Sequence, residues 1–391
     1  MNKKISLGLA LSLIAIASAV TFILTSFFSL QSFNKKVVDV NEKAKKYNSL
    51  QLLDTYVRDN YFGKIDETEL NDGILKGYVA GLDDKYSRYL SADEYIDEQN
   101  ENAGELIGLG LTLSEDESGY IRIDSIIADS PAIESGIQNG DIIISVDGVD
   151  VIETGFNEAV EAMNGSEGTS ITLTVRRNGI DTDYTFTRRS IELVTVTGEL
   201  IDGYIGYIKI DGFKQNTPEQ FINTLQHLTS NGAKALIFDL RDNPGGLVES
   251  VEECLDPLLP EGVIAIAEYK DGHSETIVYS DSSELDMPMT VIVNKNTASA
   301  AELFAASLRD FEKAELVGEK TYGKGVMQIT TEMENGGAVV LTVAEYRTTV
   351  SECYDKIGLN PDYTVVDDNA DDDYDVQYYE AMNIINRALA D

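Results

Sequence analysis

Two short stretches carry side chains suited to hydrolysis without a histidine. In Val291-Ile292-Val293-Asn294-Lys295-Asn296-Thr297-Ala298-Ser299-Ala300-Ala301-Glu302, an apolar strand turns into an Ala-rich helix, and small residues flank Ser299. A hydroxyl placed there is uncrowded and lies beside the N–H groups of a helix N-terminus, where a developing anion is stabilised. The same Ser-x-x-Glu spacing is a capping box in which Ser299 and Glu302 only satisfy helix N–H groups, and this stretch alone leaves both readings open. The second stretch, Gly318-Glu319-Lys320-Thr321-Tyr322-Gly323-Lys324-Gly325, holds a lysine between two glycines. A lysine so placed reads, by itself, as a solvated hairpin tip. Its likeness to a phosphate-binding loop fails, because Gly325 replaces the required Ser or Thr and Val326 to Thr331 alternates as a strand does. A third stretch, Phe238 to Gly246, ends an apolar strand in Asn243-Pro244-Gly245-Gly246, whose glycines permit close backbone approach and could donate N–H groups to an oxyanion, or form a plain strand-ending turn with no such role.

Histidine, the usual base, occurs only as His227, at helical spacing, and as His273, in a polar turn. Neither adjoins a nucleophile-like segment, so both read as structural. A Cys/His cluster is absent from the sequence, and the acidic run near Asp367 lacks the glycine and terminal glutamate of a helix-loop-helix calcium loop. No metal and no cofactor is expected.

These stretches need elements to position them. From Ile191 onward, apolar strands at Tyr204 to Ile210, Ala235 to Leu240 and Met289 to Val293 alternate with helical stretches at Pro218 to Thr229 and Ala300 to Arg309, the pattern of a mixed α/β core. Before it, Gly104 to Arg189 reads as short strands with Gly-containing turns and one helix near Phe156 to Met163. Val37 to Asn102 reads as a charged, helix-like arm with Leu52, Leu53, Tyr56 and Val57 on one face. An acidic run from Asp367 to Asp375 precedes a final helix from Gln377 to Ala390. The fold class is therefore multidomain.

The chain has 391 residues, 43% of them hydrophobic, enough for two or three cores. Its formal charge of −38 disfavours nucleic acid and anionic lipid as partners and suits neutral, basic or unfolded polypeptide. Lys3 and Lys4 precede an uncharged run from Ile5 to about Leu30, long enough to span a bilayer with the N-terminus cytoplasmic. We expect a single-pass anchor. A cleaved signal ending near Ala17-Ser18-Ala19 is the alternative, which would leave a secreted protein, and either places the later residues outside the cytoplasm. Cys254 and Cys353 are the two cysteines, and whether they pair stays open.

Taken in order, the segments resemble the carboxyl-terminal processing proteases, in which a PDZ domain is set into a Ser-Lys serine protease. The arm pattern is echoed by Leu70 to Gly81 and by Leu82-Asp83-Asp84-Lys85-Tyr86-Ser87-Arg88-Tyr89-Leu90. The PDZ is echoed by Gly108-Leu109-Gly110-Leu111, by Ser130-Pro131-Ala132, and by Gly140 to Ile143 with Val146-Asp147-Gly148. The resemblance implies an anchor at 1–35, a helical arm at 36–102, a PDZ domain at 103–190, an α/β Ser-Lys protease core at 191–366 and an acidic segment with a C-terminal helix at 367–391. It makes Ser299 the nucleophile, Lys324 the base and Gln328 the residue that holds the lysine amine. It gives Gly245 or Gly246 a share in the oxyanion hole with the Ser299 N–H, and Glu302 a supporting place.

The resemblance also implies capture of an apolar polypeptide C-terminus by Gly108, Leu109, Gly110 and Leu111, and a homo-oligomer; Ala159, Val160 and Met163 read equally as the pocket wall and as a helix face that packs on its own sheet. Burial must lower the pKa of Lys324, so a dry pocket is expected around it. The chain departs from the family at Lys295 and Asn296, where relatives often have glycines, at Thr297, often serine, and at Ala301, commonly serine. A catalytically silent, membrane-tethered PDZ adaptor is the rival reading, and a thioesterase on a related core a second.

Overall fold

The computed structural model describes residues 47–281, 284–366 and 374–390, together with the isolated positions 21, 25 and 45. All but two positions of the expected anchor, and most of the acidic run, lie outside the described residues. Among the described residues no helix is long and apolar enough to cross a membrane.

The chain divides into two compact units, Met1–Ile74 and Leu75–Asp391. In the first, helix α1 (47–60) carries Leu52, Leu53 and Tyr56 exposed, and Arg58 joins Asp54 one turn back to Glu67. Asp66 then accepts from the N–H groups of Thr68 and Glu69, which caps helix α2 (Glu67–Ala80).

The arm expected to be helical also contains a strand, β1 (Arg88–Leu90), before helix α3 (Ala92–Ala103). Three residues are too few to show a period of two, and the strand exists because its partner does. Tyr89 and Leu90 bury their side chains, and the Ser87 hydroxyl accepts from Thr342 N–H at 3.0 Å. Helix α3 starts at a Ser91/Glu94 capping box and stops at Gly104, whose φ of 80° is the left-handed cap that glycine takes without strain.

The next region runs β2 (Glu105–Gly108), β3 (Leu111–Glu115), β4 (Ile121–Ile126), α4 (Pro131–Ser135), β5 (Ile142–Val146), β6 (Val149–Asp150), α5 (Val151–Thr154), α6 (Phe156–Met163), β7 (Ser170–Arg177), β8 (Ile180–Thr187) and β9 (Arg189–Glu192). Its sheet is ordered β3-β4-β5-β7-β8, with β6 on β5, and β2 pairs β9 at its base. Ile121, Ile123, Ile143, Ile171, Leu173 and Val175 alternate inward as the period of two requires and form a core of their own.

The remainder runs β10 (Val196–Ile201), β11 (Ile205–Ile210), α7 (Thr217–Ser230), β12 (Ala235–Asp239), α8 (Val248–Leu255), β13 (Gly262–Tyr269), β14 (Ser274–Ser280), β15 (Met289–Val293), α9 (Ala300–Asp310), β16 (Ala314–Gly318), β17 (Val326–Glu332), β18 (Ala338–Thr348), β19 (Tyr363–Thr364) and α10 (Val376–Ala390). One sheet is ordered β10-β11-β12-β15-β16-β19 and is parallel except for the first pair. Every residue of β12 and β15 is buried, because both faces of this sheet are covered. Leu236, Phe238, Val291 and Val293 face α7, α8 and α9, while Ala235, Ile237 and Ile292 meet Ile384 and Ile385 of α10.

A second, antiparallel sheet ordered β1-β18-β13-β14, with β17 on β18, closes the far side of the helix layer through Ile264, Ala265, Val278 and Tyr346. At the centre, the Phe304 ring sits 5.6, 6.3 and 5.4 Å from those of Phe213, Phe221 and Phe238. Phe304→Ala is expected to cost about 3–5 kcal/mol by leaving a cavity among these rings, read as a lower urea midpoint with an unchanged slope.

Candidate active site

Strands β12, β15 and β16 are parallel neighbours, and the chain leaves their carboxyl ends into the three stretches singled out above. Ligands of such sheets bind beyond those ends. Hydrogen bonds stitch the three turns together. The Thr297 hydroxyl donates to Leu240 O at 2.8 Å and accepts from Asn294 N at 2.9 Å; Ala298 N donates to Asn243 O and Tyr322 N to Thr297 O, both at 3.0 Å. Thr297 is fully buried, so its methyl fills space while its hydroxyl links two strand ends. Asn294 and Asn296 both donate to the Asp242 carboxylate, at 2.9 and 2.8 Å, so the turn is held by side chains rather than freed by glycines. Gly245 has φ of 100°, and a Cβ there would come within 2.8 Å of Ser299 Cβ, so glycine is required for this approach.

Ser299 caps the N-terminus of α9 with φ 58° and ψ −122°, a region that non-glycine residues avoid. Such strain persists only where surrounding structure enforces it, and it gathers at functional sites. Glu302 supplies the enforcement. Its fully buried carboxylate accepts from Ser299 N at 2.9 Å and Lys324 N at 2.8 Å through Oε2, and from Gly323 N at 2.8 Å and the Thr321 hydroxyl through Oε1. One carboxylate thus ties the serine turn to the lysine loop.

Ser299, Lys324 and Gln328 line one cavity of about 630 Å³, together with Gly246 and Tyr346. Lys324 is half-buried, and its carbonyl accepts from the Tyr346 hydroxyl at 3.0 Å. Burial, then the positive charge of Arg88, holds the Lys324 ammonium below its ordinary pKa. Sequence reasoning did not bring Tyr346, Arg88 or Tyr86 here; the Lys85-Tyr86-Ser87-Arg88 signal stood in the arm, and nothing local tied it to the core.

Three expected roles meet a different arrangement in this conformation. The Gln328 amide donates to Val326 O at 3.2 Å and the Thr342 hydroxyl at 3.3 Å, beside a register shift between Met327 and Gln328, and so is engaged away from the lysine amine. The Ser299 N–H is taken by Glu302, and the Gly245 N–H by Asn243 Oδ1 at 2.8 Å. Gly246 stays exposed on the cavity wall.

In the smaller domain, Leu109 O accepts from Ala132 N at 3.0 Å and Gly110 O from Ile127 N at 2.9 Å. Trans peptide planes then turn the N–H groups of Gly110 and Leu111 the opposite way, at the start of edge strand β3. Gly108 ends β2. Ala159 and Met163 are buried among the core of their own domain, since their spacing of four puts both on the face that packs on the sheet, and Val160 is half-buried beside them. Exposed His227 and His273 lie outside this cavity, and Cys254 and Cys353 are both free.

The model of peptidase family S41 matches residues 204–365, and a PDZ domain model matches 122–177. The carboxy-terminal processing protease CtpA of Bacillus subtilis is 34% identical over 348 residues, 88% of this chain and 74% of that protein. The chain belongs to peptidase family S41. A carboxyl-terminal-processing protease of Synechocystis is also 34% identical, over 81% of this chain and 77% of its own length. The fold is shared with the photosystem II D1 C-terminal processing protease, at a TM-score of 0.50 and 24% identity over 81% of this chain and 86% of that one. A putative S41 protease of Bacteroides fragilis shares it at a TM-score of 0.52 and 18% identity, over 84% and 91%.

This S41 serine protease therefore carries its PDZ domain between arm and core. Because Glu302 Oε2 receives two N–H groups, Glu302→Gln must set an NH₂ against donors or lose two bonds. It is expected to cut kcat about 10²-fold through a misplaced serine, with far-UV circular dichroism unchanged.

Proposed function

We propose that the chain is an endopeptidase that captures polypeptide C-termini on its PDZ domain and cleaves by a Ser299–Lys324 dyad. The observation that carries the reading is the convergence of a strained serine and a partly desolvated lysine on one cavity, tied through Glu302. Neutral Lys324 Nζ takes the proton as Ser299 Oγ attacks the scissile carbonyl. The lysine then passes that proton to the departing amine, leaving an ester on Ser299 that water hydrolyses with the same base. The Gly246 N–H is the first candidate for the oxyanion, joined by that of Ser299 or Gly245 once Glu302 or Asn243 releases it. The engaged Ser299 N–H and Gln328 amide favour reading this conformation as a resting one, which substrate or a PDZ ligand would realign.

An apolar C-terminus would add to edge strand β3 with its carboxylate on the N–H groups of Gly110 and Leu111, and Val160 beside its last side chain. The apolar run after Lys3 and Lys4 supports a single-pass anchor with the catalytic part outside the cytoplasm, and self-association through the arm or tail belongs to the same proposal.

The test is cleavage of a loosely folded reporter with an apolar, uncharged C-terminus by the chain, by Ser299→Ala and by Lys324→Ala. Both variants are expected to lose cleavage while still binding a fluorescent C-terminal peptide. A wild type that binds the peptide and never cleaves would favour the adaptor reading. Since only the neutral amine works and its pKa lies below the ordinary value, kcat is expected to rise with pH and to level off before an ordinary lysine would have lost its proton.

A further inference from the structure

Strand β1 joins β18 and thereby brings residues 83–90 to the lysine. The Asp84 carboxylate fixes the turn by accepting from Tyr86 N at 3.2 Å and from the Ser87 hydroxyl, which itself accepts from Thr342 N of β18. The Tyr86 ring centroid then lies 4.7 Å from Lys324 Nζ and 4.6 Å from Lys85 Nζ. Lys85 Nζ donates to the Tyr322 hydroxyl at 3.0 Å, and Arg88, paired with Glu98, stands on the wall of the catalytic cavity.

We propose that Tyr86 and Arg88 are positioning residues for the base. The Tyr86 ring roofs the Lys324 amine against water, and the cations of Arg88 and Lys85 disfavour its protonation. The segment that the family pattern places in the arm thus completes the active site from some 240 residues upstream in sequence, 324 − 86 being 238. The inference rests on the reading of Lys324 as the base.

The charged and titratable groups facing Lys324 divide by element. Asp84, Lys85, Tyr86 and Arg88 come from the β1 segment and Tyr322 from the lysine's own loop, while Glu98 and Glu101 of α3, Glu249 of α8, Tyr269 of β13 and Glu275 of β14 line the same cavity. Glu302 of α9 and Tyr346 of β18 engage the backbone N–H and carbonyl of Lys324, not its amine. Two effects of the ring oppose each other. Its quadrupole attracts an ammonium, while its bulk removes hydrating water. Burial leads the causes that lower the lysine's pKa and Arg88 follows, against weaker upward pulls from Tyr322 and Asp84; the ring's cover is taken as part of that burial, and the variants at Tyr86 separate it from the quadrupole.

The pH dependence of kcat in Tyr86→Ala, Tyr86→Leu and Arg88→Gln tests this, with thermal midpoints as folding controls. Tyr86→Ala and Arg88→Gln are expected to move the acid limb to higher pH. Each unit of movement costs about tenfold in rate below the limb, with recovery above it. Tyr86→Leu keeps the cover without the quadrupole, and its limb is expected at or below the wild-type position. Loss by the same factor at every pH in Tyr86→Ala and Arg88→Gln would make the segment merely structural and overturn the proposal. Should Tyr86→Ala fail to fold, Arg88→Gln decides alone. Lys324→Ala separates the two readings: an inactive variant beside unmoved limbs sinks only the roof, whereas an active one sinks the base itself.

Discussion

The candidate site depends on one buried carboxylate. Glu302 has lost all contact with water, and a charge so placed persists only if its lone pairs are filled. Three backbone N–H groups and one hydroxyl fill them, and they come from both ends of the machinery: Ser299 on one side, Thr321, Gly323 and Lys324 on the other. The N-terminal end of α9, where Glu302 sits in the first turn, adds a favourable dipole. The serine's strained backbone and the lysine loop's path are therefore two consequences of satisfying one anion.

Around that tie the two sheets divide the labour. The parallel sheet ends three neighbouring strands at one edge and so sets the serine turn, the Asn-Pro-Gly-Gly turn and the start of the lysine loop side by side. The antiparallel sheet supplies the opposite wall through β17 and β18, and through β1 it draws the upstream Tyr86 segment onto the lysine. The aromatic cluster of Phe213, Phe221, Phe238 and Phe304 fills the layer between them. Packing of this density transmits displacement, so the two walls are not independent.

A protein of formal charge −38 is an unfavourable setting for a neutral lysine, because negative potential favours the ammonium. Solvent screens most of those charges within about 8 Å. At short range both signs are present: Arg88 and Lys85 oppose the ammonium while Asp84 and Tyr322 favour it, and desolvation, the leading cause, tips the balance downward. Local geometry outweighs the global charge.

The periodicity of the strands Tyr204 to Ile210, Ala235 to Leu240 and Met289 to Val293 was legible because burial on both faces of a parallel sheet demands unbroken apolar runs. Helix α6 was legible through its 3.6-residue period, and Ser299, Glu302 and Lys324 through the company they keep. The sequence by itself thus determined the strands and helices of the α/β layers, since each is written in neighbouring residues, whereas the PDZ domain and the roles of Ser299 and Lys324 were read from a family resemblance. It left Ser299-x-x-Glu302 undecided between a cap and a catalytic turn. The tertiary structure decided that Glu302 does more than cap, because Thr321, Gly323 and Lys324, some twenty residues away, are its other partners. Likewise only the pairing of β1 with β18 decided that Tyr86 faces Lys324. Ala159 and Met163 read equally as pocket or core until the sheet beneath them was placed. Local pattern records what a residue's own element needs, whereas a site assembled by long-range pairing leaves no period in the chain for a sequence to display.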